Sequence, residues 1–417
     1  MKTQILLALA IFLLPFALQA QEKRCGFTHT PNLQQEQIIK QLIDKQNLQN
    51  ARTEDKTYTI PVLFHIIQTN NPNDDVNKIT STRIKEQVRV INEDFNRLNA
   101  DAIRTPEMFK NIAGKIAINF VLAKIDSNNV VLKEEGIVRH TKFGKIEWQL
   151  ADFETEVKPQ TIRNPYKYLN IWVVNELKDS SDRLLGYAQF PDFSGLQGIS
   201  QENGTNKTDG VIVVARTLSS LGNSQPIFYR YGLGRTLTHE IGHFLGILHT
   251  FSDVRGLCED NDFCNDTPRL KDDTNGCSPE EAAKCETIAM PENFLDYTND
   301  ACMNLFTKCQ VERMKVVLEK CPRRKELANS TVTSAREENL AERISIFPNP
   351  AHAFFTIKTE NLPIKNLKLY SVLGQQVYQN VDIQANTSID ISHLPKAIYV
   401  LQIETEKGMI VKKLVVE

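Results

Sequence analysis

Apolar and polar positions divide the chain into stretches of distinct character. Ile5 to Leu18 is an apolar run behind Lys2 and ahead of Ala20, the layout of a secretory signal peptide over residues 1–20. It is shorter than the ~18 residues of a spanning helix, so no transmembrane segment is expected after its removal. Residues 21–56 are polar and Gln/Lys-rich, with one helical stretch from Leu33 to Leu48 and little to build a core, which reads as a pro-segment. At Tyr58 the pattern changes to a strand over Thr59–Ile67, then an amphipathic helix over Thr82–Leu98 with Ile84, Val88, Ile91 and Phe95 on one face.

Short β-rich runs at Ile116–Ala123, Tyr168–Val174 and Gly210–Ala215 predict further strands. Helices are expected over Thr236–Leu245 and Phe306–Lys320, with a loop-like stretch between them. These elements make residues 57–321 one mixed α/β unit. Residues 322–343 are charged and polar, which suits a linker. From Ile344 to Glu417 apolar and polar residues alternate between turn signals at Pro348-Asn349-Pro350, Leu373-Gly374 and Gly408, predicting a small all-β sandwich domain. The fold class is therefore α+β followed by all-β.

The 417 residues carry 49 Lys+Arg against 51 Asp+Glu, so no bulk field points to nucleic acid. An apolar fraction of 41% excludes disorder throughout. Export would place the cysteines in an oxidising compartment, and Cys258, Cys264, Cys277, Cys285, Cys302, Cys309 and Cys321 cluster as a disulfide framework. A structural zinc cluster is the alternative, but paired C-x2-C knuckles are missing. Seven is odd, so one thiol is left over unless Cys25 joins.

The string HEIGHFLGILH, from His239 to His249, carries the chemistry. Two histidines four apart project from one helix face and can share a metal, with Glu240 beside them. Gly246 permits the positive φ that ends the helix and returns His249 to the metal. Three neutral imidazoles leave a fourth position for water, the open arrangement of a catalytic zinc, and Glu240 can take that water's proton.

HExxHxxGxxH resembles the metzincin metalloproteases. NDTPRL, PENFLDYTNDAC, LFTKCQVERM, VINEDF, LGYAQFP and TDGVIVV make residues 58–321 similar to the pappalysin, or cytophagalysin, family. The resemblance implies a metzincin-type catalytic domain, with a mixed twisted sheet and an active-site helix. It also implies zinc on His239, His243 and His249, catalysis by Glu240, and substrate extended along an edge strand, for which Leu185–Pro191 is the candidate. Tyr297 matches a tyrosine that reaches the zinc or the developing oxyanion in several metzincins, packing being its other role. Leu295 stands where the family's turn has Met, a swap that usually costs under about 1.5 kcal/mol.

Arg24-Cys25-Gly26 resembles a cysteine-switch motif, in which Cys25 would hold the open zinc position until the pro-segment is cut between Asn50 and Tyr58, where Arg52 and Lys56 offer basic sites. A disulfide from Cys25 to the later cluster, or an inert thiol, competes with that reading. The family pattern also implies the disulfides Cys258–Cys285 and Cys277–Cys302. Cys309 and Cys321 lie about 18 Å apart along one helix, so Cys264 is expected to pair with one of them. Asp262, Asn265, Asp266 and Thr267 match a family loop that commonly binds calcium, with Asn261 in place of the usual Gly.

SIFPNP, LKLYSVLGQQV, LPKAIYVLQIE and the terminal KKLVVE resemble the C-terminal sorting domain of type IX secretion. The expectation is a secreted or cell-surface zinc endopeptidase, made as a latent zymogen and exported through periplasm and outer membrane. Its partners would be protein or peptide substrates and the secretion machinery. The alternatives are a non-catalytic secreted binding or adhesion protein that keeps the protease fold, and a zinc hydrolase of non-peptide amides.

Overall fold

A computed structural model of the protein describes residues 22–27, 32–50, 56–126, 130–180, 182–193, 204–219, 230–251, 258, 262–279, 285, 288–330, 344–359, 363–371, 375–383, 387–405 and 408–417. The expected signal peptide lies outside these residues, as do Arg52 and Asn261. The chain divides into two compact units, Met1–Thr333 and Ser334–Glu417.

The first unit opens with strand β1, Glu22–Cys25, and helix α1, Leu33–Asn50. Strand β2, Tyr58–Thr69, leads to helix α2, Ser81–Phe95, where Thr80 caps the first turn by accepting from Arg83 N at 3.2 Å. Ile84, Val88, Ile91 and Phe95 are buried together against the sheet, as their shared face predicts. Strands β3 (Ile118–Leu122), β4 (Ile137–Gly144), β5 (Glu147–Gln149), β6 (Leu169–Val174), β7 (Glu176–Asp179), β8 (Asp182–Ala188) and β9 (Val211–Val214) follow. They form one mixed sheet in the order β3-β2-β6-β9-β8-β7-β5, with β4 also paired to β2.

Every residue of β6 is buried. A central parallel strand covered on both faces has no solvent side to alternate towards, which is why Leu169–Val174 is a continuous apolar run. Strand β8 runs antiparallel to β9 and is joined by β1, which runs parallel to it. Gly186 faces both Val213 of β9 and Cys25 of β1, so β1 lies on the edge of β8 that β9 leaves open.

Helix α3, Arg235–Phe244, packs on the sheet through Leu237 and Ile241. Helix α4, Lys308–Lys320, starts with a capping box between Thr307 and Gln310. Helix α5, Pro322–Ala328, corrects one expectation, because it occupies the beginning of the predicted linker over 322–343. Two of its charged residues, Arg323 and Arg324, are buried and paired: Arg324 meets Asp209 with Nη1–Oδ2 at 2.7 Å and Nη2–Oδ1 at 3.0 Å, and Leu327 is in the core. Residues 331–343 of that linker lie outside the described part.

The second unit contains β10 (Ile344–Phe347), β11 (Phe354–Thr359), β12 (Ile364–Ser371), β13 (Gln376–Ile383), β14 (Thr387–Asp390), β15 (Ala397–Thr405) and β16 (Gly408–Val416). One sheet has the order β10-β11-β14 and the other β13-β12-β15-β16. Phe355 and Ile357 of the first share a buried cluster with Leu367, Leu401 and Leu414 of the second, so two sheets close on one core as a small sandwich.

Candidate active site

Helix α3 carries His239 and His243 one turn apart and ends at Phe244, two residues before Gly246, whose φ is 85°. A side chain there would be strained, and its Cβ would stand 2.7 Å from Val317 Cγ2. The turn brings His249 back: His243 Nε2 lies 3.1 Å from His239 Nε2 and 3.0 Å from His249 Nε2. His239 Nδ1 is 2.7 Å from the Phe294 carbonyl, and His243 Nδ1 is 2.7 Å from that of Ile247. A ring nitrogen facing a carbonyl must carry the proton, so the Nε2 lone pairs of His239 and His243 point inward.

Burial and the neighbouring histidines hold His239 well below its ordinary pKa, so its imidazole is neutral. Converging lone pairs about 3 Å apart repel unless a cation lies between them. Bonds of about 2.0–2.1 Å at tetrahedral angles place ligand nitrogens about 3.3 Å apart, close to the spacing here, so these residues fit a zinc-type ion.

Glu240 is fully buried, and burial raises its carboxyl to about 8. Gly186 makes room for it, since a Cβ on β8 at that position would stand 2.4 Å from Glu240 Oε1. The turn Asn293–Tyr297 runs beneath the histidines. Asn293 Oδ1 accepts from Leu295 N at 2.9 Å, and Leu295 Cδ2 would be 3.0 Å from a Cβ on Gly242. The leucine side chain therefore packs directly under the helix. The Tyr297 ring lies against His239 and His249, and its hydroxyl donates to the Cys25 carbonyl at 3.2 Å.

Strand β1 fills the site. Cys25 Sγ lies 3.4 Å from Glu240 Oε2, accepts from Phe27 N at 3.1 Å, and shares one cluster with the three histidine nitrogens. Phe27 stacks on His243 with centroids 4.2 Å apart. The Leu185–Ala188 part of the expected substrate edge lies in β8, and β1 pairs along β8 from Arg183 to Gly186, covering the start of it.

Sequence reasoning missed a pocket beside this strand. Arg24 Nη2 donates to Asp300 Oδ1 at 2.6 Å and to the Thr298 carbonyl at 2.8 Å, with its guanidinium 4.5 Å from the Tyr231 ring centre. A cavity of about 390 Å³ adjoins it, lined by Asp182, Arg230, Tyr231, Asp273 and Tyr297. Asp300 lies inside the motif PENFLDYTNDAC, but nothing local marks it as the partner of an arginine 276 positions away.

Cys258 is bonded to Cys285, Cys277 to Cys302, and Cys264 to Cys309. Cys25 and Cys321 are buried free thiols. In the 262–267 loop Asp262 Oδ1 accepts from Cys264 N at 3.0 Å and Thr267 Oγ1 at 2.7 Å, and Asp266 Oδ2 accepts from Cys309 N at 3.0 Å. Asp262 is thus turned into the protein, and Thr267 acts as its donor.

The family model described as pregnancy-associated plasma protein-A matches residues 153–319, and that of the secretion system C-terminal sorting domain matches 345–417. Mature mirolysin of Tannerella forsythia, solved with a cleaved peptide, is 35% identical with a TM-score of 0.55, over 66% of this chain and 98% of that one. A promirolysin mutant of the same organism is 33% identical with a TM-score of 0.56, over 74% and 98%. An extracellular metalloprotease of Arthroderma benhamiae is 30% identical over 48% of this chain and 70% of its own length.

Proposed function

We propose how catalysis and latency are built in a chain that belongs to the pregnancy-associated plasma protein-A family of metalloproteases. The protein is a secreted metalloendopeptidase made as a zymogen, and its C-terminal sorting domain directs export by type IX secretion. Among the described residues no helix is long and apolar enough to cross a membrane. The observation that carries the finer reading is the convergence of three histidine Nε2 atoms beside Glu240 and Cys25.

We assign zinc to His239, His243 and His249. Zinc held there would act as a Lewis acid towards the scissile carbonyl and make water a stronger acid. Glu240 takes the proton of the attacking water and returns it to the leaving nitrogen. With β1 gone, the open edge of β8 pairs with an extended substrate backbone, which binds many sequences because main-chain groups supply the contacts. The Tyr297 hydroxyl, released from the Cys25 carbonyl, donates to the oxygen that gains charge. Cys25 keeps the precursor latent by occupying the position that water needs.

For the 262–267 loop we propose calcium, supported by the Asp266 Oδ1 atom, buried and without a hydrogen-bond partner among the described residues. The mature protein should lose casein cleavage to a zinc chelator and regain it with added zinc, and calcium should raise its melting temperature. Chelator-resistant cleavage would refute the zinc assignment. A melting temperature indifferent to calcium would refute the second site.

A further inference from the structure

Two unlike contacts hold α1 on the rest of the first unit. Ile39 is fully buried, and Ile38, Leu42 and Ile43 pack with it in an apolar cluster that contains Phe193, Leu248 and Val317. Beside this stripe the Glu36 carboxylate receives both Nη atoms of Arg313, Nη2 at 2.8 Å, with each side chain only 3% exposed. Arg313 Nε also donates to the Gly246 carbonyl, in the turn before His249.

The helix does not fill its bed. A cavity of about 530 Å³ remains between α1 and Phe263, Asp266, Cys309 and Arg313. The bed therefore has room for bulkier side chains than α1 supplies.

Loss of the pro-segment uncovers an apolar surface around a guanidinium that has lost its carboxylate. Contiguous apolar surface of this kind marks an interaction site, and a nearly buried arginine favours an acidic partner. The nearby Asp262 does not replace Glu36, because its carboxylate is turned to Cys264 N and Thr267 Oγ1.

We propose that in the mature enzyme this bed is an exosite for protein substrates, separate from the β8 edge. Its occupant is an amphipathic helical segment with a carboxylate beside its apolar stripe, the chemistry that α1 now presents. The proposal rests on the endopeptidase reading. Glu36 follows Cys25 by 11 positions, so a substrate can span both sites through a connection of similar length.

The test uses the mature enzyme and a short fluorogenic peptide, extended on one end or the other by residues 32–50 through a Gly/Ser linker. One extended substrate should show a KM roughly tenfold or more below that of the short peptide, at unchanged kcat. The gain should vanish when the extension carries Glu36→Lys and Ile39→Asp, and should survive Gln41→Ala at an exposed position. Equal gain from the altered extension would overturn the proposal. So would gain from neither extension when the free 32–50 peptide still binds, since the bed would then serve only the pro-segment. Anisotropy of labelled 32–50 peptide on mature Glu240→Ala reads binding without catalysis. If nothing is cut, the endopeptidase reading fails and the exosite with it. If the short peptide is cut and the 32–50 peptide does not bind, the exosite alone fails.

Discussion

Arg24 Nη2 and Asp300 Oδ1 meet at 2.6 Å with neither side chain exposed, so strand β1 places a cation on a buried carboxylate near His239. Asp300 also accepts from Leu233 N and Arg235 N, which fixes its position. An empty pocket of this design favours a basic substrate side chain. Removing one charge of a buried pair costs about 2–5 kcal/mol, so Asp300→Asn in the mature enzyme should lower kcat/KM for an arginine-bearing peptide more than tenfold. A neutral analogue should lose much less. Equal losses on both peptides would exclude Asp300 as a selector.

Cys25 and Gly26 should govern latency separately from folding. Gly26 lies where a Cβ would stand 2.5 Å from Leu184 Cδ1, so Gly26→Val should lift the strand from β8. Both Cys25→Ala and Gly26→Val precursors should cleave peptide before processing, while the wild-type precursor stays silent. Silent variants of normal melting temperature would mean that the thiol is not the lock.

His65 gives the fold a sensitivity to acid. It is buried, with Nε2 2.9 Å from Asn170 Oδ1 and Nδ1 3.1 Å from His140 Nε2, and it stacks on Trp172. Burial lowers its pKa to about 3, and burial with nearby Arg163 and Lys142 lowers that of His140 to about 4. Above pH of about 6.5 both states of His65 are neutral and it adds no pH dependence. Below that the unfolded chain takes up a proton the folded one refuses, so stability falls as pH drops from about 6.5 towards 3. His65→Gln should melt lower at pH 7 but lose less between pH 7 and 4.5 than wild type. Parallel curves would contradict this assignment.

Helix α5 packs as part of the first unit. Arg324 Nε donates to the Phe244 carbonyl at 2.8 Å, while its guanidinium and that of Arg323 share Asp209. A chain cut after Cys321 would leave Asp209 without either arginine, and uncompensated buried charge costs about 3–5 kcal/mol. Residues 57–321 should therefore melt well below residues 57–330. Equal melting temperatures would refute a structural role for α5.

Features held within one turn or one strand were legible in the sequence. His239, Glu240, His243, Gly246 and His249 lie within 11 consecutive positions, so spacing alone dictates their geometry. The apolar face of α2 and the continuous apolar run of β6 were readable for the same reason. The Arg24–Asp300 and Glu36–Arg313 pairs were not, because both depend on how a distant segment docks. Arg323 and Arg324 resemble a solvated linker by composition, since their burial follows only from Asp209 lying opposite them. The Cys264–Cys309 bond was narrowed by helix length but needed the fold to choose it.

The most direct test of the central claim is cleavage of casein by the activated protein, wild type beside Glu240→Ala, with bound zinc quantified in both. The expected result is zinc in both proteins and cleavage by the wild type alone, with a loss of at least about a hundredfold in the variant. Cleavage by folded, zinc-loaded Glu240→Ala at the wild-type rate would contradict the assignment of Glu240 as the base.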